Sequence, residues 1–246
     1  MSRVGVVVTA AGSGERLGAD RPKALVTVGG ASLLQYALER ALSVADELVV
    51  TAPESHLAEA REIASAVVVA AEAHDGRSLT GTATPRVQSI TVVPGGVTRQ
   101  DSVRAGIEVL ADVDLVLVHD AARAFAPAEI FHDVLRALEG GAVAVIPALP
   151  VIDTIKRADS QMRVTGTVDR SELWAVQTPQ GFRRDALARA HASGEGTAAT
   201  DDAALVEALG ETVRLVPGHE DAFKVTVPRD LALAEAMMAH RNGDTC

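Results

Sequence analysis

The chain has 246 residues, of which 48% are hydrophobic, 23% are charged and 2% are aromatic, a balance that excludes a disordered or coiled-coil protein. Its formal net charge of −10 argues against long nucleic acid as a partner, because neutralising a phosphate backbone needs a broad basic surface. Cys246 is the only cysteine, which excludes an internal disulfide and a cysteine zinc site and leads us to expect a reducing, cytoplasmic setting.

The apolar stretches are too short for a membrane protein. The longest, at 142–152, contains two prolines and falls well short of the ~20 residues that span a bilayer. The N-terminal apolar stretch runs directly into a glycine-rich loop, so no signal peptide is expected. We therefore expect no membrane contact, and we interpret residues 1–246 as a single domain.

The first predicted elements are a strand and a loop suited to phosphate. Three valines at 6–8 predict a buried strand, and the glycines of 12–14 let the backbone turn with its N–H groups outward. A proline before Lys23 breaks the P-loop pattern, and Leu17 stands where a dinucleotide-binding loop needs its third glycine. What remains is a set of backbone donors with two cations, Arg16 and Lys23, which together suit a triphosphate.

Helices and strands then alternate along the chain. The pattern predicts helices at 32–45, 54–65, 99–111 and 127–139, and strands at 47–53, 66–70, 90–96, 114–123 and 142–149. The first five elements have the order βαβαβ, which implies a parallel sheet with ligands at the carboxyl ends of its strands. We predict an α/β fold, Rossmann-like, with a mostly parallel sheet and helices on both faces.

Other segments interrupt this alternation. Residues 72–89 are polar and rich in Gly, Thr and Ser, which predicts a flexible surface loop. Residues 153–170 alternate around a turn and predict a β-hairpin, part of an arm at about 150–172 that leaves the sheet and suits a partner subunit. The remaining predictions are a return strand at 173–179, helices at 183–193 and 201–209, and a strand and helix over 222–240.

The stretch TAAGSGERLGADRPKAL (9–25) resembles the signature of nucleotidyltransferases, which join a nucleoside triphosphate to a phosphorylated small molecule and release pyrophosphate. Further motifs follow in order: GGVTRQDSV (95–103), HDAAR (119–123), DTIKR (153–157), TVDR (167–170), QTPQGF (177–182), TDDAALVE (200–207) and FKVT (223–226). Together they resemble 2-C-methyl-D-erythritol 4-phosphate cytidylyltransferases from about residue 4 to 238. The resemblance implies transfer of CMP from CTP to that sugar phosphate, in non-mevalonate isoprenoid precursor synthesis.

The resemblance implies catalysis by cations. The reaction brings two anionic phosphates together, so positive charge is the main requirement, and the attacking phosphate monoester needs no general base. Arg16, Lys23, Arg170 and Lys224 match the family's catalytic residues. Asp120, after a predicted strand, matches the family's ligand for Mg²⁺.

The resemblance also implies residues that bind the two substrates. Thr154 and Arg170 match the sugar-phosphate site, which the arm of a neighbouring subunit reaches in the family's homodimer. The matching substrate-binding residues as a whole are Ala10, Ala11, Gly12, Gly14, Gly96, Ser102, Asp120, Arg123, Thr154, Thr178, Thr200 and Thr226. Without the resemblance, Asp120 would be interpreted as a helix cap and Arg170 as a solvated charge.

Two alternatives stay open. A cytidylyltransferase for another polyol phosphate, such as ribitol 5-phosphate, would share the CTP half of the site. A non-catalytic nucleotide-binding module would keep the fold without turnover, although the presence of all four cations argues against it. The sequence departs from the family pattern at Val97, where an acidic residue is common, and at Ala124, where a proline is expected.

Overall fold

The computed structural model describes residues 2–75, 87, 89–110, 112–194 and 199–243. Its strands are β1 (Val4–Thr9), β2 (Thr27–Val28), β3 (Ala31–Ser32), β4 (Glu47–Ala52), β5 (Ile90–Pro94), β6 (Leu115–Asp120), β7 (Ala144–Pro150), β8 (Lys156–Ala158), β9 (Val164–Thr167), β10 (Trp174–Val176), β11 (Gln180–Arg183) and β12 (Val213–Pro217). Its α-helices are α1 (Leu33–Ala41), α2 (Leu57–Asp75), α3 (Arg99–Val109), α4 (Ala128–Glu139), α5 (Arg184–Ser193), α6 (Asp202–Ala208) and α7 (Pro228–Gly243).

The centre of the fold is a mixed sheet in the order β10-β7-β11-β6-β1-β4-β5, with β12 on β7. The pairs β1–β4, β1–β6, β4–β5 and β7–β12 are parallel. Strand β11 runs antiparallel to both β6 and β7, and β10 runs antiparallel to β7. The predicted α/β fold with a mostly parallel sheet is therefore confirmed.

The valines of β1 show how helices cover both faces of this sheet. Val6 and Val8 belong to a core layer shared with α1, α2 and α4, whereas Val7 belongs to a layer shared with α3, α5 and α6. All three valines are fully buried. A strand buried on both faces needs a continuous apolar run, which is why VVV predicted it correctly.

The strand predicted at 66–70 is wrong, because these residues lie inside α2. The alanine-rich sequence around them has no Gly or Pro to end a helix before Val67, so the helix continues. Ala60, Ala64, Val67 and Val68 are buried at helical spacing, and Val69 is 63% exposed. The third strand of the βαβαβ unit is instead β5, and the predicted loop at 72–89 begins within α2, with most of it outside the described residues.

The chain after the arm also differs from the prediction. The return strand at 173–179 is confirmed as β10, but the strand predicted at the start of 222–240 is wrong, since the residues from Phe223 to α7 have no strand pairing. Strands β11 and β12 were not predicted. Strand β11 is a short stretch of four residues, QGFR, that ends where α5 begins, so its pattern is masked by the helix that follows it.

The hairpin predicted at 153–170 is confirmed. Strands β8 and β9 pair with each other in a separate two-stranded sheet, and Met162 in the connecting turn has a positive φ of 61°. Several large apolar side chains are exposed on and beside this arm: Ile152, Met162, Val164 and Trp174.

The helices in the described parts of the chain lack the length and apolar character needed to cross a bilayer.

Candidate active site

A cleft of about 370 Å³ opens where β1 and β6 end, at the carboxyl edge of the parallel strands. This is where ligands bind in such sheets. Residues of the glycine loop, the start of α3, the end of β6 and the segment before α7 form its walls. The predicted site residues that line it are Ala10, Ala11, Gly12, Arg16, Lys23, Gly96, Ser102, Asp120 and Lys224.

The glycine loop, residues 10–23, is fixed by a glycine of positive φ, a backbone hydrogen bond and a buried leucine. Gly14 has φ 81°, and a side chain there would also meet the Arg21 carbonyl oxygen at 3.1 Å. The Lys23 N–H donates to the Gly12 carbonyl at 3.3 Å, which brings Lys23 back over the loop. Leu17 is buried in a small apolar cluster with Phe125, so the loop that carries Arg16 is anchored to the body of the protein.

The opposite wall is built where the turn after β5 approaches the glycine loop. A Cβ on Gly95 would lie 2.5 Å from the Cβ of Ala11, so only glycine allows this approach. The Ser102 hydroxyl accepts the Gly96 N–H at 3.1 Å, which fixes the turn against α3. Thr98 caps α3 in a reciprocal capping box with Asp101. Because Ala11 and Gly96 have small or no side chains, the space between the two walls stays open for a ligand.

Asp120, the last residue of β6, is the centre of the polar contacts. Its Oδ1 accepts from Arg99 Nε at 3.0 Å and from Thr9 Oγ1 at 3.2 Å, and its Oδ2 accepts from Lys224 Nζ at 2.6 Å. Its backbone N–H donates to the Thr178 hydroxyl at 3.1 Å. Burial alone would raise the pKa of Asp120, but the Arg99 and Lys224 charges outweigh it and hold this pKa far below its ordinary value.

Positive charge faces Asp120 across the cleft. Burial, together with repulsion from Lys224, lowers the pKa of Lys23 from 10.5 to about 8. Burial is the larger cause, and the charges of Lys224, Arg16 and Arg123 lower this pKa further. An anion bound between Lys23, Arg16 and Lys224 would relieve that repulsion, so the cleft is built to attract a polyanion.

Arg99 is a residue of this site that the sequence reasoning missed. It lines the cleft and joins Asp120 to Asp202, to which its Nη1 donates at 2.7 Å. Burial lowers the pKa of Arg99, but the two carboxylates outweigh it and raise this pKa above the ordinary value. A signal was present, because Arg99 opens α3, and the N-terminus of a helix disfavours a cation unless carboxylates neutralise it.

Several predicted residues support the cleft without lining it. The Thr178 hydroxyl contacts His119 Nδ1 at 3.1 Å as well as the Asp120 backbone, and burial lowers the pKa of His119 to about 4. Arg123 donates to the backbone carbonyls of Ala222 and Val176, at 2.7 and 3.0 Å. Thr226 donates through its hydroxyl to the Lys224 carbonyl at 3.2 Å.

Three further predicted residues lie outside the cleft of this chain. Thr154 and Arg170 are exposed on the arm, and the Arg170 guanidinium donates to the Ile152 carbonyl. Thr200 is exposed beside the start of α6. The binding roles given to Thr154, Arg170 and Thr200 stay predictions.

Asp120 is also the predicted metal ligand. In the described part of the chain, there is no cluster of three or more His, Cys, Asp or Glu side chains that could enclose a metal ion. The donor set at the cleft is a single carboxylate whose two oxygens contact cationic side chains. Such a set can serve Mg²⁺ only together with oxygens from a phosphorylated ligand and water.

Comparisons with known proteins agree with this geometry. A family model described as 2-C-methyl-D-erythritol 4-phosphate cytidylyltransferase matches residues 4–240. A protein of that name from Rhodococcus jostii is 47% identical over 234 residues, covering 94% of this chain and 93% of its own length. A bifunctional IspD/IspF enzyme from Clavibacter michiganensis is 50% identical over 98% of this chain, which spans 56% of that longer protein.

The fold matches a solved structure as well. The crystal structure of 2-C-methyl-D-erythritol 4-phosphate cytidylyltransferase from Thermus thermophilus aligns with a TM-score of 0.73 at 36% identity, covering 96% of this chain and 99% of that one. Family model, relatives and structure all agree on one assignment. The chain belongs to the 2-C-methyl-D-erythritol 4-phosphate cytidylyltransferase family.

Proposed function

We propose that the protein transfers CMP from CTP to 2-C-methyl-D-erythritol 4-phosphate, giving 4-diphosphocytidyl-2-C-methyl-D-erythritol and pyrophosphate, a step of isoprenoid precursor synthesis. The observation that carries this proposal is the cationic cleft of a family member, in which Arg16, Lys23 and Lys224 line the same cavity as Asp120. The CTP triphosphate occupies this cavity, and the small residues of the facing wall leave room for the cytidine.

The chemistry follows from where the charges lie. A phosphate oxygen of the acceptor attacks the α-phosphorus of CTP, the bond from that phosphorus to the bridging oxygen breaks, and pyrophosphate leaves with the electron pair. Arg16 and Lys23 neutralise the triphosphate and stabilise charge on the leaving group, because positioned cations in a partly dry cleft act strongly on developing charge. Lys224 reaches the same region from the other side of Asp120.

The proposal includes Mg²⁺, which when bound neutralises and orients the triphosphate. Asp120 would hold it with one carboxylate oxygen, the remaining ligands being phosphate oxygens and water, which is the way Mg²⁺ is usually held in phosphoryl-transfer sites. Lys224 contacts Oδ2 of Asp120 at 2.6 Å, so the cation that neutralises this carboxylate would also lie beside the substrate phosphates.

The acceptor half of the site is proposed to include the arm of a second copy of the chain. Arg170 and Thr154 lie on the arm and outside the cleft of their own chain. Met162 and Val164 are 84% and 64% exposed there, and exposed apolar side chains that cluster indicate an interaction surface. A homodimer through the arm would bring Arg170 and Thr154 to the neighbouring cleft.

A cytoplasmic location is also proposed, since the only cysteine, Cys246, needs no oxidising compartment.

Mass spectrometry of the product tests the proposed function. The purified protein with Mg²⁺, CTP and 2-C-methyl-D-erythritol 4-phosphate should give a product heavier than the acceptor by one CMP unit, less water, and one pyrophosphate for each product molecule. ATP, GTP and UTP serve as controls and should give little product. Equal products with several nucleotides would contradict the assignment of the facing wall to cytidine, and no product with CTP would favour a non-catalytic nucleotide-binding module.

A further inference from the structure

A chain of polar contacts runs from Arg99 in the cleft to a buried carboxylate on α6 and a buried histidine on α5. Asp202, the first residue of α6, is 1% exposed and contacts Arg99 Nη1 through its Oδ2 at 2.7 Å. The Nε2–H of His191, which is 3% exposed on α5, donates to Asp202 Oδ1 at 3.0 Å. Each oxygen of this buried carboxylate therefore has a cationic or polar partner, as a buried charge requires.

Capping does not explain the carboxylate of Asp202. The N-terminus of α6 already has a cap in Asp201, whose Oδ1 accepts the Ala204 N–H at 3.0 Å and whose Oδ2 accepts from Gln180 at 2.8 Å. Burying a second carboxylate beside it is costly unless the charge has a specific partner. The partner is Arg99, which is itself part of the cleft.

Arginine has the geometry to transmit a position from Asp202 to Asp120. The guanidinium is planar and its donors are fixed relative to one another, so holding Nη1 at one carboxylate also fixes the direction of Nε. Nε contacts Asp120 Oδ1 at 3.0 Å. Because Oδ1 is held in this way, Asp120 Oδ2 is left as the oxygen that faces Lys224 and the ligand.

Charge gives the contact a second effect. The cleft already contains Arg16, Lys23 and Lys224, so a guanidinium without Asp202 would be free to turn toward the triphosphate and away from Asp120. The ion pair with Asp202 prevents Arg99 from turning toward the triphosphate.

We propose that Asp202, held by His191, is a positioning residue for CMP transfer, and that it acts by fixing Arg99 against Asp120. The expected loss of kcat rests on the proposed function. The expected loss of the contact between Arg99 and Asp120 rests on the geometry alone. Asp202 itself does not line the cleft.

The kinetic test compares Asp202→Asn with Asp201→Asn. The first change should lower kcat by about tenfold or more, with the KM for CTP within about threefold of wild type, because the substrate-binding cations remain. The matched change removes the neighbouring carboxylate but keeps its helix cap, because Asn caps helices about as well as Asp, and it should leave kcat within about twofold. Equal kcat losses in the two variants, or a kcat of Asp202→Asn within about twofold of wild type, would overturn the proposal.

A double variant tests whether Asp202 acts through Arg99. Arg99→Lys keeps the charge but cannot reach both carboxylates with a fixed fork. If the proposal is correct, Arg99→Lys with Asp202→Asn should lose no more kcat than Arg99→Lys alone, because the two residues act as one unit. Losses that multiply would show that Asp202 acts by another route. Should Asp202→Asn fail to fold, Asp202→Glu, which keeps the charge but shifts it, is expected to show a smaller kcat loss with the same non-additivity.

A crystal structure of Asp202→Asn tests the positioning of Arg99 independently of enzyme activity. Arg99 Nε should have left Asp120 Oδ1, and retention of the 3.0 Å contact would refute the proposal even in an active enzyme. A wild-type protein that lacks CMP transfer would instead contradict the proposed function, and the crystal structure would still decide the positioning role.

Discussion

The Nζ of Lys224 lies 2.6 Å from Oδ2 of Asp120, although 104 residues separate the two in the chain. This contact joins the segment before α7 to the end of β6, and it places a cation and the proposed metal ligand in the same cavity. In a protein without substrate, each group neutralises the other. Substrate phosphates that enter this cavity would meet both groups of the ion pair.

Lys224→Ala should lower kcat/KM for CTP by about 10²–10³-fold, the scale of losing one positioned donor to developing charge. It should also leave Asp120 with one cationic partner, Arg99. Steady-state kinetics measure this effect. Arg189→Ala is the control, because Arg189 is paired on the surface with Asp185 and Glu211 and does not line the cleft. A Lys224 variant as active as the control would remove Lys224 from the mechanism.

The pKa of Lys23 predicts an alkaline limit to activity. The charged form binds the triphosphate, and its pKa is lowered to about 8 in the free protein, so kcat/KM for CTP should fall as the pH rises through about 8. Lys23→Arg should remove this limb, because a guanidinium keeps its charge throughout that range. The pH profile of both proteins, measured with CTP below saturation, decides it. An unchanged limb in Lys23→Arg would assign the titration to another group.

Leu17→Ala tests the anchor of the glycine loop. Removing this buried side chain should cost about 2–5 kcal/mol of the free energy of unfolding and should raise the KM for CTP, because Arg16 follows the loop. Leu33→Ala is a matched control, since Leu33 is buried in the same cluster but lies on α1 and not in the loop. Thermal unfolding and kinetics are measured on both. An equal change of KM in the two variants would contradict a specific role for the anchor.

Arg170→Ala should raise the KM for 2-C-methyl-D-erythritol 4-phosphate and leave the KM for CTP nearly unchanged, because Arg170 is assigned to the acceptor half of the site. Arg163→Ala, also on the arm, is the control, since its side chain pairs with Asp159 at the hairpin turn. An unchanged acceptor KM would refute the assignment.

Mixing two impaired variants tests whether the arm acts across a dimer. At an acceptor concentration so low that Lys23→Ala and Arg170→Ala are each nearly inactive, freely exchanging subunits should together recover about a quarter of wild-type activity, because about half of the dimers are hybrids and each hybrid has one intact site. Size-exclusion chromatography with light scattering first establishes the dimer. No recovery in exchanged dimers would place Arg170 at the cleft of its own chain.

The sequence predicted the parts of the fold whose signals are local. Val6, Val7 and Val8 indicated a buried strand because both of its faces are covered. The glycine loop predicted a triphosphate site from its backbone donors and two cations, and Arg16 and Lys23 both line the cleft. The valines of α2 misled because a short apolar run is compatible with a helix or a strand. The run of three valines at 67–69 does not show by itself that only Val67 and Val68 are buried, on one face of a helix.

Contacts between distant segments could not be predicted in the same way. The position of Arg99 at the start of α3 signals a need for carboxylates, but its partners Asp120 and Asp202 lie 21 and 103 residues away, and no pattern along the chain identifies them. Strand β12 is similar, because its pairing with β7 is decided by the space left on the sheet and not by its own half-exposed sequence. Motifs placed Asp120 and Lys224 at the site, but only the fold shows that they contact each other.

The initial rate of pyrophosphate release tests the central claim most directly. The protein is given CTP and Mg²⁺ with either 2-C-methyl-D-erythritol 4-phosphate or ribitol 5-phosphate at equal concentration. We predict rapid release with the first acceptor and release near the no-acceptor background with the second. Faster release with ribitol 5-phosphate would contradict the proposed acceptor, and release with neither would contradict CMP transfer to these sugar phosphates altogether.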